Sequence, residues 1–150
     1  IEFEAMVNYV CELLEPFEAR AKVRPMLAGS RVHLLGTSGT VTTIAGVHLG
    51  LPRYERSRVD GCWIKSGDVR RVTTRLAEAS LEDRIAEPCI GRERADLVLA
   101  GCAILEAILR VWPCERLRVA DRGLREGILA TLMADDEDHR RHRRAYGGQP

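Results

Sequence analysis

Apolar residues open the chain at helical spacing. Phe3, Met6, Val7, Val10, Leu13, Leu14 and Phe17 follow the i, i+3, i+4, i+7 rule without a gap, which predicts an amphipathic helix. No Ser, Thr, Asp or Asn stands ahead of that run to cap it, and it begins at Ile1; the expectation is a domain truncated at its N-terminus. Pro16 and Pro25 bracket a weaker helical stretch, and Ala28-Gly29-Ser30 marks a turn. Val32-His33-Leu34-Leu35 is short, apolar and β-branched at its start, and predicts a buried strand. It runs into Gly36-Thr37-Ser38-Gly39-Thr40 and an apolar helix from Val41 to Leu49 that ends at Gly50 and Pro52.

The second half repeats that order. Ser57 to Lys65 reads as a short strand with Gly61 at a bend, and Ser66 as the N-cap of a helix through Ala79, with Asp68 near its positive end. Ser80 and Asp83 predict the cap of a short helix reaching Ala86, before Pro88 and Gly91 break the chain. From Arg92 to Trp112 apolar residues cover nearly the whole helical circumference, which predicts a central, buried helix stopped by Pro113. Leu117 to Ala120 predicts a strand, Asp121-Arg122-Gly123 a polar turn, and Leu124 to Met133 a helix. From Asp135 to Pro150 four acidic residues precede an Arg- and His-rich run; apolar groups are too few to pack, and a disordered polar tail is expected.

Composition narrows the class. A length of 150 residues suits one domain. A net charge of +1 gives no whole-chain field to attract nucleic acid, and aromatics at 5% leave few stacking platforms for single strands. No apolar run reaches the 18 or so residues of a membrane span, so no membrane partner is expected. The five cysteines (Cys11, Cys62, Cys89, Cys102, Cys114) include no CxxC and no short pairing with His, which supports neither a zinc site nor a redox motif. They suit a reducing cytoplasm, with Cys102 as a small core residue.

Two turns carry candidate chemistry. The glycine turn at 36–40 lets backbone N–H groups approach an anion, and the helix that follows adds partial positive charge. The hydroxyls of Thr37, Ser38 and Thr40 add donors. No Gly-Lys-Ser/Thr follows, so this is no Walker loop, and a plain capped strand-to-helix turn would use similar residues. In the second turn Arg122 and Arg125 can face a phosphate at the same sheet edge. Alternatively, Asp121 caps the helix and both arginines pair with Glu126 or solvent. Arg94 and Asp96 open the central helix, where the dipole and an ion pair account for them. His139 and His142 beside carboxylates read as solvated tail, His33 as a strand residue and His48 as helix surface. No nucleophile–base arrangement and no carboxylate pair placed to activate water is visible.

Four segments in this order, GTSGTVTTIAGVHLGLPRYE, RVDG, RADLVLAGCAILEAIL and VADRGLREGIL, resemble the second half of the exopolyphosphatase/guanosine pentaphosphate phosphohydrolase family, from about Val32 to Met133. The resemblance implies a helix-rich α/β fold: residues 1–134 as the C-terminal part of the second actin-like ATPase (ribonuclease H-like) domain, with a short parallel sheet flanked by helices. It implies a phosphohydrolase that releases terminal phosphate from polyphosphate or guanosine pentaphosphate, with Mg²⁺ in the intact enzyme. Gly36, Thr37, Ser38, Gly39, Thr40, Asp121, Arg122, Gly123 and Arg125 would be phosphate- or nucleotide-side groups. The family's first domain, with its catalytic glutamate, and the DIGGGS-like loop that opens its second have no counterpart in these residues. The isolated chain is therefore expected to be inactive, and the strand at Val32 to present an open edge that invites a homodimer. The alternative is a non-catalytic phosphate-binding or structural module.

Overall fold

The computed structural model describes residues 2–27, 32–37 and 39–146, with side chains through 137. Ser38, the turn expected at 28–30, and the side chains of His139 and His142 lie outside the described residues. Helix α1 (Glu2–Ala21) leads through a short α2 (Val23–Leu27) to strand β1 (Leu34–Gly36) and helix α3 (Gly39–His48). A single turn, α4 (Arg56–Val59), precedes β2 (Trp63–Lys65), α5 (Ser66–Glu78) and α6 (Leu81–Ala86). Central helix α7 (Leu97–Val111), strand β3 (Arg116–Val119) and α8 (Leu124–Tyr146) complete the order.

The sheet runs β1-β3-β2. β1 is parallel to β3, with Leu34 opposite Leu117 and Gly36 opposite Val119. β2 is antiparallel to β3, with Trp63 opposite Arg118 and Lys65 opposite Arg116. The sheet is therefore mixed, where a parallel one was expected: the path from β1 through α3 and α4 returns to the edge where β1 and β3 end, so β2 enters from that edge and runs back against β3. β1 stands at an edge and pairs, among the described residues, only with β3.

Period-two alternation decides which face is covered. Ile64, Leu117 and Val119 point to the helices and are buried with Ile44, Leu51, Val69, Leu76, Cys102 and Leu109 in one core. On the other face Leu35, Trp63, Lys65, Arg116 and Arg118 stand exposed. α7 is buried along most of its length, as its apolar circumference predicts, although Leu97 and Ile104 remain exposed.

Helix α1 runs through Pro16 to Ala21, where a weaker helical stretch was expected to begin. Tertiary bonds hold it there. Val7 packs on Ala103 and Ala107 of α7, and Arg110 bonds both oxygens of Glu4. The buried Glu18 carboxylate accepts from Trp112 Nε1 at 2.6 Å and from the Val23 and Arg24 amides that start α2.

Three other expectations change. Ser66 lies inside α5, and its hydroxyl donates to the Cys114 carbonyl instead of capping the helix. The first three residues of the segment expected as a strand from Ser57 to Lys65 belong to the turn α4, and only Trp63–Lys65 is strand. α8, expected to end near Met133, stays helical to Tyr146, with Leu124, Ile128, Leu129, Leu132 and Met133 exposed. The Ser80 cap stands as expected, accepting from the Asp83 amide at 3.1 Å. Among the described residues no helix is long and apolar enough to cross a membrane.

Candidate functional site

Because β1 and β3 are parallel, both carry their C-terminal ends to the same edge of the sheet, where ligands of open α/β sheets bind. The two glycine turns therefore meet there. The Ala120 amide donates to the Gly36 carbonyl at 2.8 Å, which ties one turn directly to the other. Antiparallel β2 starts at this same edge, and its lead-in residue Gly61 donates to the Val119 carbonyl at 2.8 Å. That places Asp60 beside the second turn. Around the junction lies a cavity of about 680 Å³, lined among others by Thr37, Gly39, Tyr54, Arg94, Asp121, Arg122 and Arg125. That volume is in the range of small-molecule sites.

The second turn is wired in place from several elements. Tyr54 donates its hydroxyl to Asp121 Oδ2 at 2.7 Å. Arg56 bonds the Asp121 carbonyl and lies 3.4 Å from its carboxylate. Asp60 accepts from the Asp121 amide at 2.9 Å and from Arg122 Nε at 3.1 Å. Glu126 accepts from the Gly123 amide at 2.8 Å, one half of a capping box at the start of α8. Asp121 is thus not the helix cap that one reading of the turn made it, and Arg122 pairs with Asp60 where Glu126 or solvent was the alternative.

These bonds hold the protons. The Asp121 amide and then Arg122 keep the Asp60 carboxyl below its usual range. The Gly123 amide does the same for Glu126. Burial, helped by the bond to Asp121, pushes the Tyr54 hydroxyl up to about 12. At neutral pH Tyr54 is a donor, and both carboxylates are charged and engaged.

The first turn is differently made. A Cβ on Gly36 would stand 2.6 Å from Val41 Cγ1, so only glycine lets the strand turn this closely over α3. Thr42 donates to the Gly39 carbonyl at 3.1 Å. The Thr40 side chain lies against Gly101 of α7, in a space that any Cβ there would occupy. Thr40 therefore packs two helices together and does not line the cavity. Gly36 stays outside the lining as well, while Thr37 and Gly39 belong to it.

Four arginines (Arg56, Arg94, Arg122, Arg125) face two carboxylates (Asp121, Glu126) around the cavity. Arg56 and Arg122 are pinned by their acids. The side chains of Arg94 and Arg125 make no hydrogen bond or ion pair among the described residues, although the Arg125 charge helps to hold the Glu126 carboxyl down. The N-terminal turns of α3 and α8 open on the same space, and the positive end of a helix favours an anion. The chemistry of such a lining suits an oxyanion. Tyr54, Arg56 and Asp60 went unassigned as site residues, although Tyr54 and Asp60 sit in the quoted segments PRYE and RVDG. Arg94 was read only as an ion-pair partner.

No group of three His, Cys, Asp or Glu that could hold a metal ion occurs among the described residues. With Asp121 and Glu126 already bonded to their neighbours, the residues present do not form a magnesium site of their own.

Known proteins share this architecture. The chain is 26% identical over 148 residues to the protein named exopolyphosphatase 1 of Mycobacterium tuberculosis, with 93% of this chain and 41% of that protein covered. The same identity and coverage hold for its counterpart in Mycobacterium bovis. A crystal structure of the Aquifex aeolicus member of the Ppx/GppA family superimposes with a TM-score of 0.70 at 27% identity, covering 87% of this chain and 41% of that one. An exopolyphosphatase from Cytophaga hutchinsonii shares the fold with a TM-score of 0.73 at 23% identity, covering 89% and 42%. The fold is thus that of the actin-like ATPases, and the chain spans about 41% of the length of the curated relatives it matches. The sequence profile of the Ppx/GppA phosphatase family matches residues 1–136, and the chain belongs to that family.

Proposed function

We propose that this chain supplies the ligand-binding loops of a phosphohydrolase that releases terminal phosphate from polyphosphate or guanosine pentaphosphate, as the C-terminal part of the second actin-like domain. The observation that carries this reading is the convergence of both turns with two uncommitted cations, Arg94 and Arg125, on one cavity. Backbone amides at the start of α3 and the guanidinium groups of Arg94 and Arg125 take up the phosphate oxygens. Arg122, held by Asp60 through Nε, offers its remaining nitrogens. Ser38 and Thr37 extend the first loop, with Gly36 and Gly39 allowing its close approach.

Water activation falls to a group outside this set. Asp121 and Glu126 are engaged, and a Tyr54 that titrates near 12 is no base at neutral pH. That observation favours a second reading for the 150 residues alone, a binding module without turnover. Mg²⁺ would enter with the phosphate oxygens of the ligand.

Titration calorimetry with tripolyphosphate and guanosine pentaphosphate, beside an assay for released phosphate, tests both readings. Saturable binding that Arg94→Ala and Arg125→Ala each weaken supports the site, and binding indifferent to both removes it. Phosphate release by the isolated chain would overturn the assignment of the activating group to another part of the enzyme. We also propose that the outer edge of β1 pairs two copies of the chain; sedimentation showing a monomer at all concentrations would end that idea.

A further inference from the structure

The uncovered face of the sheet carries charge that the cavity does not use. Register sets Arg118 between Leu35 and Trp63, and Arg116 beside Lys65. All of them are exposed, and so is His33 just ahead of β1. Helices α3 and α5 pack on the opposite face, with Ile64 and Leu117 between them. The side chains of Lys65, Arg116 and Arg118 make no ion pair or hydrogen bond among the described residues, and β1, β2 and β3 place no carboxylate on this face. Like charges on adjacent strands repel, so three cations in neighbouring positions cost stability unless an anion joins them.

Trp63 organises the group. The Arg116 guanidinium lies over its ring at 4.4 Å and that of Arg118 at 5.4 Å. The His33 ring meets Trp63 edge-on at 4.7 Å. Stacked guanidiniums are held flat with their N–H edges free, the geometry that takes phosphate oxygens in pairs.

We propose that this face binds the distal length of a linear polyphosphate chain, as a second site apart from the cavity. The inference rests on polyphosphate being the ligand of the proposed function. The occupant follows from charge complementarity together with the state of the ring. An arginine already covers Trp63, and no second aromatic from the strands faces the same way. A nucleic acid would find phosphate contacts there, but for its bases only the His33 ring, set edge-on against Trp63, and the guanidinium faces. A polyphosphate chain needs the phosphate contacts alone.

The test compares long-chain polyphosphate with tripolyphosphate on the whole chain. Lys65→Gln/Arg116→Gln/Arg118→Gln should weaken the long chain about tenfold, as the combined loss of three exposed charge contacts, and leave tripolyphosphate unchanged. Arg116→Lys, which keeps the charge but loses the stacked fork, should recover only part of the affinity lost in Arg116→Gln. Trp63 fluorescence should respond to the long chain only, a response absent in Trp63→Phe. Single variants of Lys65 and Arg118, checked for unchanged melting, repeat the comparison if the triple variant folds poorly. Equal long-chain affinity in the charge variants and the wild type overturns the proposal. So does single-stranded DNA that competes at equal affinity and shifts Trp63, which would make the face a nucleic-acid surface. Failure of Arg94→Ala and Arg125→Ala to affect tripolyphosphate would count against the cavity instead, and is read in a separate titration.

Discussion

The two glycine turns have the same outline, strand then polar turn then helix, and opposite internal construction. Around Asp121 to Gly123, side chains from α4, from the loops on either side of it and from α8 engage the backbone and the acid: Tyr54, Arg56, Asp60 and Glu126. The turn at Gly36 to Gly39 is held by packing, with Val41 against Gly36 and Thr40 against Gly101. Besides the bonds from the Ala120 amide to the Gly36 carbonyl and from Thr42 to the Gly39 carbonyl, its shape is set by van der Waals contact. One turn is a prewired wall that fixes where Arg122 points. The other is the open cradle.

Steric support of the cradle is its most fragile property. Gly36→Ala should destabilise the fold by roughly 1–3 kcal/mol, because β-branched Val41 is boxed into the core and has little room to yield; urea unfolding measures it. A Gly36→Ala protein of unchanged midpoint would show that packing does not shape this turn. Next in size, Arg94→Ala or Arg125→Ala should each cost about tenfold in tripolyphosphate affinity, as the loss of one charge-assisted hydrogen bond. Melting should stay unchanged, since neither side chain pairs with a protein group among the described residues.

Tyr54→Phe tests the prewired wall. It should cost about 1 kcal/mol in stability by taking a donor from Asp121, and loosen ligand binding less than either arginine variant. The same hydroxyl gives a pH signature. Its proton is held more tightly in the folded state, to about 12 against about 10 in an unfolded chain. Its contribution is full below pH 10 and lost as pH rises through 12, so Tyr54→Phe should flatten that alkaline limb in thermal melts. The smallest expected effect is at the acid end. The Asp60 carboxyl is held below its ordinary range by the Asp121 amide and Arg122. Its stabilisation is present above the unfolded value near 3.9 and lost as pH falls through the lowered folded value. Asp60→Asn should therefore show a shallower loss of melting temperature on acidification, and an unchanged slope would mean the pair is too exposed to matter.

Local pattern was sufficient for much of the fold. Helical periodicity shows α5, buried apolar continuity shows α7, and Ser80 with Asp83 shows the start of α6, because each depends on residues within a turn or two of one another. The helix through Pro16 was not legible. Its support comes from Ala103, Ala107, Arg110 and Trp112, about ninety to a hundred residues further along the chain. Neither was the antiparallel entry of β2, which depends on the path taken through α4. At the site, both turns are legible as motif, whereas the direction of the Thr40 side chain is not. Its spacing suits a phosphate loop, and only the neighbouring Gly101 shows that its side chain faces α7.

The sequence by itself determined most of the order of elements, the buried faces of α5 and α7, and the two strand-turn-helix units with their family resemblance. Those follow from covalent geometry and short-range periodicity. Tertiary structure alone decided which arginines are spent and which are free. Arg122 and Arg125 lie three residues apart on one turn, yet Asp60 neutralises the first and leaves the second to face the cavity. Coulombic pairing depends on separation in space, and the chain brings Asp60 to Arg122 only by folding.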